Sequence, residues 1–139
     1  LCCIMRENLH VGNSLMIFSH DEGRTWSEPE ETPWALTGDR HQGIILRDGR
    51  LMIVFRDTAY ASPTWGHFLA WVGPYGALRT KRAKGTYRIK LMHSHDGSDC
   101  GYPGIAQLPD GKIMVLTYVK YEPGQNRQSV VAKTFDLPR

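Results

Sequence analysis

The chain has 139 residues, 41% hydrophobic and 22% charged, the make-up of one ordinary globular domain. Its net charge of +3 is too small to imply a nucleic-acid partner, and no apolar run is long enough to span a membrane as a helix. Three cysteines, Cys2, Cys3 and Cys100, two of them adjacent, make no disulfide framework.

Leu1 opens directly on a strand-like run, with no initiating Met and no leader, so the sequence reads as a piece of a longer protein. Leu1 to Met5 is apolar and closed by Arg6-Glu7-Asn8. Ser14 to Ser19 is a second strand. Asp21-Glu22-Gly23-Arg24 then reads as a tight turn, because Asp bonds nearby amides and Gly tolerates positive φ. Ser19 and Thr25 supply hydroxyls on either side of it, and Trp26 sets a large ring at the start of a third strand, about Thr25 to Glu30. Pro29 and Pro33 end that segment.

Gln42 to Arg47 is expected to pair with Arg50 to Arg56 across Asp48-Gly49, a strong hairpin signal. Ser62-Pro63-Thr64 is a loop, His67 to Val72 a strand, and Gly73 to Gly85 an exposed basic loop carrying Arg79, Lys81, Arg82 and Lys84. Tyr87 to His93 is another strand. The hairpin then recurs: Gly104 to Leu108 pairs with Lys112 to Val119 across Pro109-Asp110-Gly111, 62 residues after the first. Ser129 to Leu137 is the last strand. No segment has a helical period, so the chain is expected to be all-β.

In each hairpin the D-G turn marks one end, so the start of the first strand and the exit of the second lie at the other. That gathers Arg6, Glu7, Asp39, Arg40, His41, Arg56, Asp57, Asp99, Cys100, Tyr102, Tyr118 and Lys120 on one face, with Trp65 in a loop beside it. A convergent polar set of this kind is the default position for a site. His93 and His95 fall on one face of a strand, yet no fixed ligand spacing supports a metal, and a turn at Asp96-Gly97-Ser98-Asp99 is expected instead; neither metal nor cofactor is expected.

The S-x-D-x-G-x-T-W pattern of Ser19, Asp21, Gly23, Thr25 and Trp26 resembles the Asp box of sialidase-like β-propellers. The GDRH, FRDT, TWGHF and GYPG segments are similar to those of a bacterial sialidase-like group with the same repeats. The resemblance implies a partial β-propeller, the C-terminal part of one domain spanning 1–139. It would comprise about two and a half four-stranded blades of a six-bladed propeller (1–34, 38–95 and 101–139), packed on the remaining blades of the same propeller. It implies a sialidase-like, exo-acting glycoside hydrolase on an acidic glycan, in a secreted or periplasmic protein, with the Asp box structural. Tyr102 matches the family's nucleophile and Arg6 one of its three carboxylate-binding arginines. The family's acid/base residues precede Leu1, and Thr64-Trp65-Gly66 stands where another arginine is usual. Arg40, His41, Arg56 and Asp57 are therefore expected to form a different pocket for an acidic sugar, with Trp65 as a stacking platform. Two alternatives stay open: a polysaccharide lyase with His41 or Tyr102 as base, and a non-catalytic glycan-binding propeller.

Overall fold

The computed structural model describes residues 1–80 and 84–138. The chain is all-β, with three antiparallel sheets and almost no helix. The first sheet contains β1 (Cys2–Met5), β2 (Leu15–Phe18) and β3 (Glu30–Glu31) in that order. The second is a four-stranded meander of β4 (Gly38–Ile45), β5 (Leu51–Asp57), β6 (Phe68–Gly73) and β7 (Tyr87–Met92). The third contains β8 (Gly101–Gln107), β9 (Ile113–Val119) and β10 (Ser129–Phe135).

The middle sheet is covered on both faces, and alternation of side chains along each strand sorts its residues between two cores. Met52 and Val54 of β5, with Phe68, Ala70 and Val72 of β6, pack on Ile113, Val115 and Val119 of the third sheet. Ile53, Phe55, Leu69 and Trp71 point the other way, onto Met16, Phe18 and Leu36. All of β6 is accordingly buried, which is why FLAWVG reads as a continuous apolar run. The outermost strand, β10, is largely exposed, as an edge strand would be.

Both D-G turns form as expected, and they are joined. The Arg47 guanidinium donates to the Leu108 and Pro109 carbonyls at 2.9 and 3.1 Å, and the Arg47 amide donates to Gln107 Oε1 at 2.9 Å. The hairpin strands begin earlier than expected, at Gly38 and Gly101, because each resumes pairing beyond an irregularity. Asp39 faces Arg56 and Gln42 faces Val54, so Arg40 and His41 together oppose Phe55. Gly101 faces Tyr118 and Gly104 faces Leu116, so Tyr102 and Pro103 oppose Thr117. These are β-bulges at equivalent places in the repeat.

Two local expectations are corrected. Trp26 starts no strand: β3 is only Glu30–Glu31, since Pro29 brings no ladder donor. The stretch 73–85 is not simply an exposed loop, because α1 (Gly76–Thr80) buries Ala77 and Leu78, and its Arg79 guanidinium lies 4.9 Å from the Phe18 ring centroid. Lys81 and Arg82 lie outside the described residues.

Candidate functional site

The two bulges aim their residues at one another. β4 and β8 run side by side, and Arg40 and Tyr102, 62 residues apart and both at positive φ (60° and 46°), meet there. The Arg40 guanidinium carbon sits 4.0 Å from the Tyr102 ring centroid and 6.0 Å from that of Tyr118, a cation over two π faces. Gly101 permits this approach: a Cβ there would meet Arg40 Cδ at 2.3 Å, and its own φ is +154°. Arg40, His41, Gln42, Tyr102 and Pro103 line a cleft of about 380 Å³. Among the described residues no carboxylate pairs with Arg40.

Beside this cleft runs a second polar chain. Arg56 donates to Asp39 Oδ2 and, at 3.0 Å, to the Ser98 carbonyl, and it lies 3.8 Å from Asp99. Asp99 accepts the Tyr118 hydroxyl at 2.7 Å and the Gln128 amide at 2.7 Å. Burial, then the Asp99 bond, push the Tyr118 phenol up to about 12. Among the described residues Tyr118, not Tyr102, is thus the phenol of this cleft with a carboxylate at hydrogen-bonding distance; Tyr102 is 74% exposed. Sequence alone placed both tyrosines on this face without showing which one Asp99 reaches.

His41 is half-buried, stacked on Phe55 with ring centroids 5.2 Å apart. Its Nε2 lies 2.9 Å from the Leu36 carbonyl, which can only accept. Nε2 therefore carries the proton and Nδ1 keeps the lone pair. Burial holds the ring below its usual range, so it is neutral at pH 7.

Asp57 has a different occupation. It is fully buried, accepting from the Ala59 amide at 3.0 Å, Ser62 Oγ at 2.5 Å, Thr64 Oγ1 at 2.7 Å and the Arg88 guanidinium. The carboxylate organises the loop 58–67 from beneath and does not face the cleft. Trp65, on that loop, is 56% exposed and lines a cleft of about 370 Å³ with Asp39 and Arg56. Arg6 is exposed after β1, and the described residues give its guanidinium no ion pair. The neighbouring Glu7 instead binds the amides of Leu9, Val11 and Gly12, shaping its own turn. Cys100 is buried, and burial pushes its thiol up to about 11, too high for a thiolate nucleophile at neutral pH.

The turn at Ser19–Trp26 consumes its own polar atoms. Asp21 accepts from Ser19 Oγ (2.9 Å), the Thr25 amide (2.8 Å) and Thr25 Oγ1 (2.6 Å); Ser19 Oγ accepts the Gly23 amide (2.8 Å) and Trp26 Nε1 donates to the Gly23 carbonyl (3.1 Å). Gly23 has φ +90°. The turn follows Phe18, which meets α1 at the D-G end of the middle sheet, so it lies away from the bulge cleft.

No family model and no curated protein matches the chain. One solved structure shares the fold. It is the crystal structure of a protein of unknown function from Dyadobacter fermentans DSM 18053, with a TM-score of 0.72 and 19% identity. The match covers 99% of this chain and 35% of that one, so this chain spans about a third of the other's length. At that identity the likeness concerns the fold alone. The chemistry of the bulge cleft is its own: one cation without a carboxylate among the described residues, two tilted tyrosine rings beside it, and the phenol–carboxylate pair of Tyr118 and Asp99.

Proposed function

We propose that the chain is the C-terminal part of a sialidase-like β-propeller, completed by further blades, and that the whole protein is a glycoside hydrolase acting on an acidic glycan. The observation that carries the reading is Arg40, free of any carboxylate among the described residues and held over Tyr102 at 4.0 Å. A guanidinium in that state offers a planar fork to a sugar carboxylate. Arg6, which matches one of the family's carboxylate-binding arginines, is a second candidate cation. The phenol beside the bound sugar is the nucleophile in this reading, assigned to Tyr102 on the family pattern. Its oxygen attacks the anomeric carbon once a carboxylate has taken its proton, and the glycosidic oxygen leaves with a proton from an acid elsewhere in the protein.

One observation favours a second reading. His41 is neutral, with Nδ1 as its acceptor and Nε2 fixed by Leu36, which suits a base that removes the proton next to a uronate carboxylate. That is lyase chemistry.

Tyr102→Phe and Tyr118→Phe in the complete protein, assayed on sialoside and uronate-containing oligosaccharides, decide between them. Tyr102→Phe is expected to lose turnover by about 10³-fold or more while binding persists. A saturated sugar product identifies the hydrolase and an ultraviolet-absorbing unsaturated one the lyase. If Tyr102→Phe keeps its rate and Tyr118→Phe loses it, the nucleophile is the Asp99-paired phenol. If the parent turns over no acidic glycan, the non-catalytic binding reading replaces both.

A further inference from the structure

We infer that the cleft floored by Asp39 and Arg56 and flanked by Tyr60 and Trp65 is a second sugar subsite, specific for a neutral pyranose. It is separate from the bulge cleft but adjoins it, since Asp39 lines one and its chain neighbour Arg40 the other.

Charge excludes an acid here. The Arg56 cation is already matched by Asp39 and approached by Asp99, so the lining, which also holds the His10 imidazole, offers no unmatched guanidinium or ammonium to a carboxylate. Hydrogen-bonding capacity points to a hydroxyl. Asp39 is 1% exposed, and its Oδ1 has no donor among the described residues; Arg56 Nε has no acceptor. A buried acceptor and a buried donor left open at the same ion pair are costly unless something fills them. A hydroxyl both donates and accepts, so one group type satisfies both atoms.

The walls supply the other half of the recognition. Tyr60 is 89% exposed and Trp65 is 56% exposed, a large apolar surface for one short loop. Neither side chain is on a slack segment. Asp57 ties the loop at Ala59, Ser62 and Thr64, Trp34 Nε1 holds the Tyr60 carbonyl at 3.1 Å, and the Gly66 amide returns to the Asp57 carbonyl at 2.7 Å. Ala61 is kept at φ 55°, a conformation that costs a non-glycine residue energy. A loop anchored this firmly, with two exposed aromatic side chains lining the same cleft as an unsatisfied donor–acceptor pair, is built to cover an amphipathic ring. A pyranose has that character: C–H groups on its face meet the negative π cloud, and hydroxyls on its edge reach the floor.

The inference shares with the proposed function only the choice of a glycan as ligand. Its test is a titration of the protein with methyl glucoside, methyl galactoside and methyl mannoside, and with methyl glucuronide as the acidic comparator. The Trp65 indole N–H resonance is followed, assigned by its loss in Trp65→Ala. At least one neutral glycoside is expected to shift that resonance, and its affinity is expected to fall about tenfold or more in Tyr60→Ala and, by calorimetry, in Trp65→Ala. Asp39→Asn weakens binding similarly if it folds; the two aromatic variants alter exposed side chains and keep the test open if it does not. Tyr102→Phe leaves this binding unchanged. The inference is overturned if no neutral glycoside moves Trp65, if the glucuronide binds there more tightly than its neutral counterpart, or if both aromatic variants bind like the parent. A parent protein that hydrolyses no acidic glycan but binds the neutral glycoside sinks the hydrolase alone; a parent that hydrolyses one but binds no neutral glycoside sinks the subsite alone.

Discussion

Asp57→Ala is expected to be the most damaging single substitution near the site, without touching the proposed ligand surface. The carboxylate is fully buried and serves three loop donors besides Arg88, whose side chain is only 16% exposed. Removing it leaves the Arg88 guanidinium with its nearest anion gone, beside a Trp34 ring whose centroid lies 5.1 Å away. Breaking a buried pair from one side costs about 3–5 kcal/mol, more than the net worth of the bonds themselves, because the stranded charge stays desolvated. For a chain of this size that is a fall in melting temperature of about 10 °C or more. Urea and thermal melts of the parent, Asp57→Ala, Arg88→Met and the double variant provide the measurement. The double variant is expected to recover part of the loss, since it removes the orphaned cation as well. A single-variant loss below about 1 kcal/mol, or a double variant no better than additive, refutes the reasoning.

The remaining expectations concern pH. Asp21 is drawn down to about 2 by bonds from the Thr25 side chain and amide and from Ser19, while an unfolded Asp titrates near 4. Its contribution is therefore present above about pH 4 and lost as the pH falls toward 2; a carboxyl titration by NMR with a midpoint near 4 contradicts this. His67 lies against His93 (ring centroids 4.1 Å), which in turn lies against His95 (4.2 Å), with Lys90 Nζ 2.8 Å from His93 Nδ1. Burial first, then the Lys90 and His93 charges, bring His67 down to about 4, against about 6.5 unfolded. The unfolded chain then takes up its proton first, so stability declines from about pH 6.5 to about pH 4 and levels off below. His67→Gln is expected to flatten that decline in melts across the range, and an unaltered pH profile would show that the stack does not titrate this way.

The D-G hairpins and their 62-residue offset were legible because turn chemistry and strand alternation are local signals. The Ser19–Trp26 turn was legible too, down to the roles of Ser19, Asp21 and Thr25, since its bonds span only a few residues. Long-range placements were harder. Asp57 follows Arg56 in sequence, and both look alike as polar residues at a strand end. Only the fold of the loop 58–67 sends one beneath it and leaves the other in the cleft. The partnership of Tyr118 with Asp99 spans 19 residues across a sheet end and leaves no mark in either local sequence. The short helix Gly76–Thr80 escaped because five residues carry too little periodicity to register.

The paired bulges have a consequence for how such a cleft can change. Residues Arg40 and Tyr102 occupy the same slot of a repeated hairpin, outside the ladder registers that hold the strands together. Whatever side chain stands there is steered by the backbone toward the same space, and the neighbouring pairs Asp39–Arg56 and Gln42–Val54, or Gly101–Tyr118 and Gly104–Leu116, hold the sheet regardless. Strand geometry and ligand chemistry are thereby uncoupled. A cation in one copy and a phenol in the other are two fillings of one socket, so the character of the cleft can change by single substitutions while the scaffold beneath is left alone.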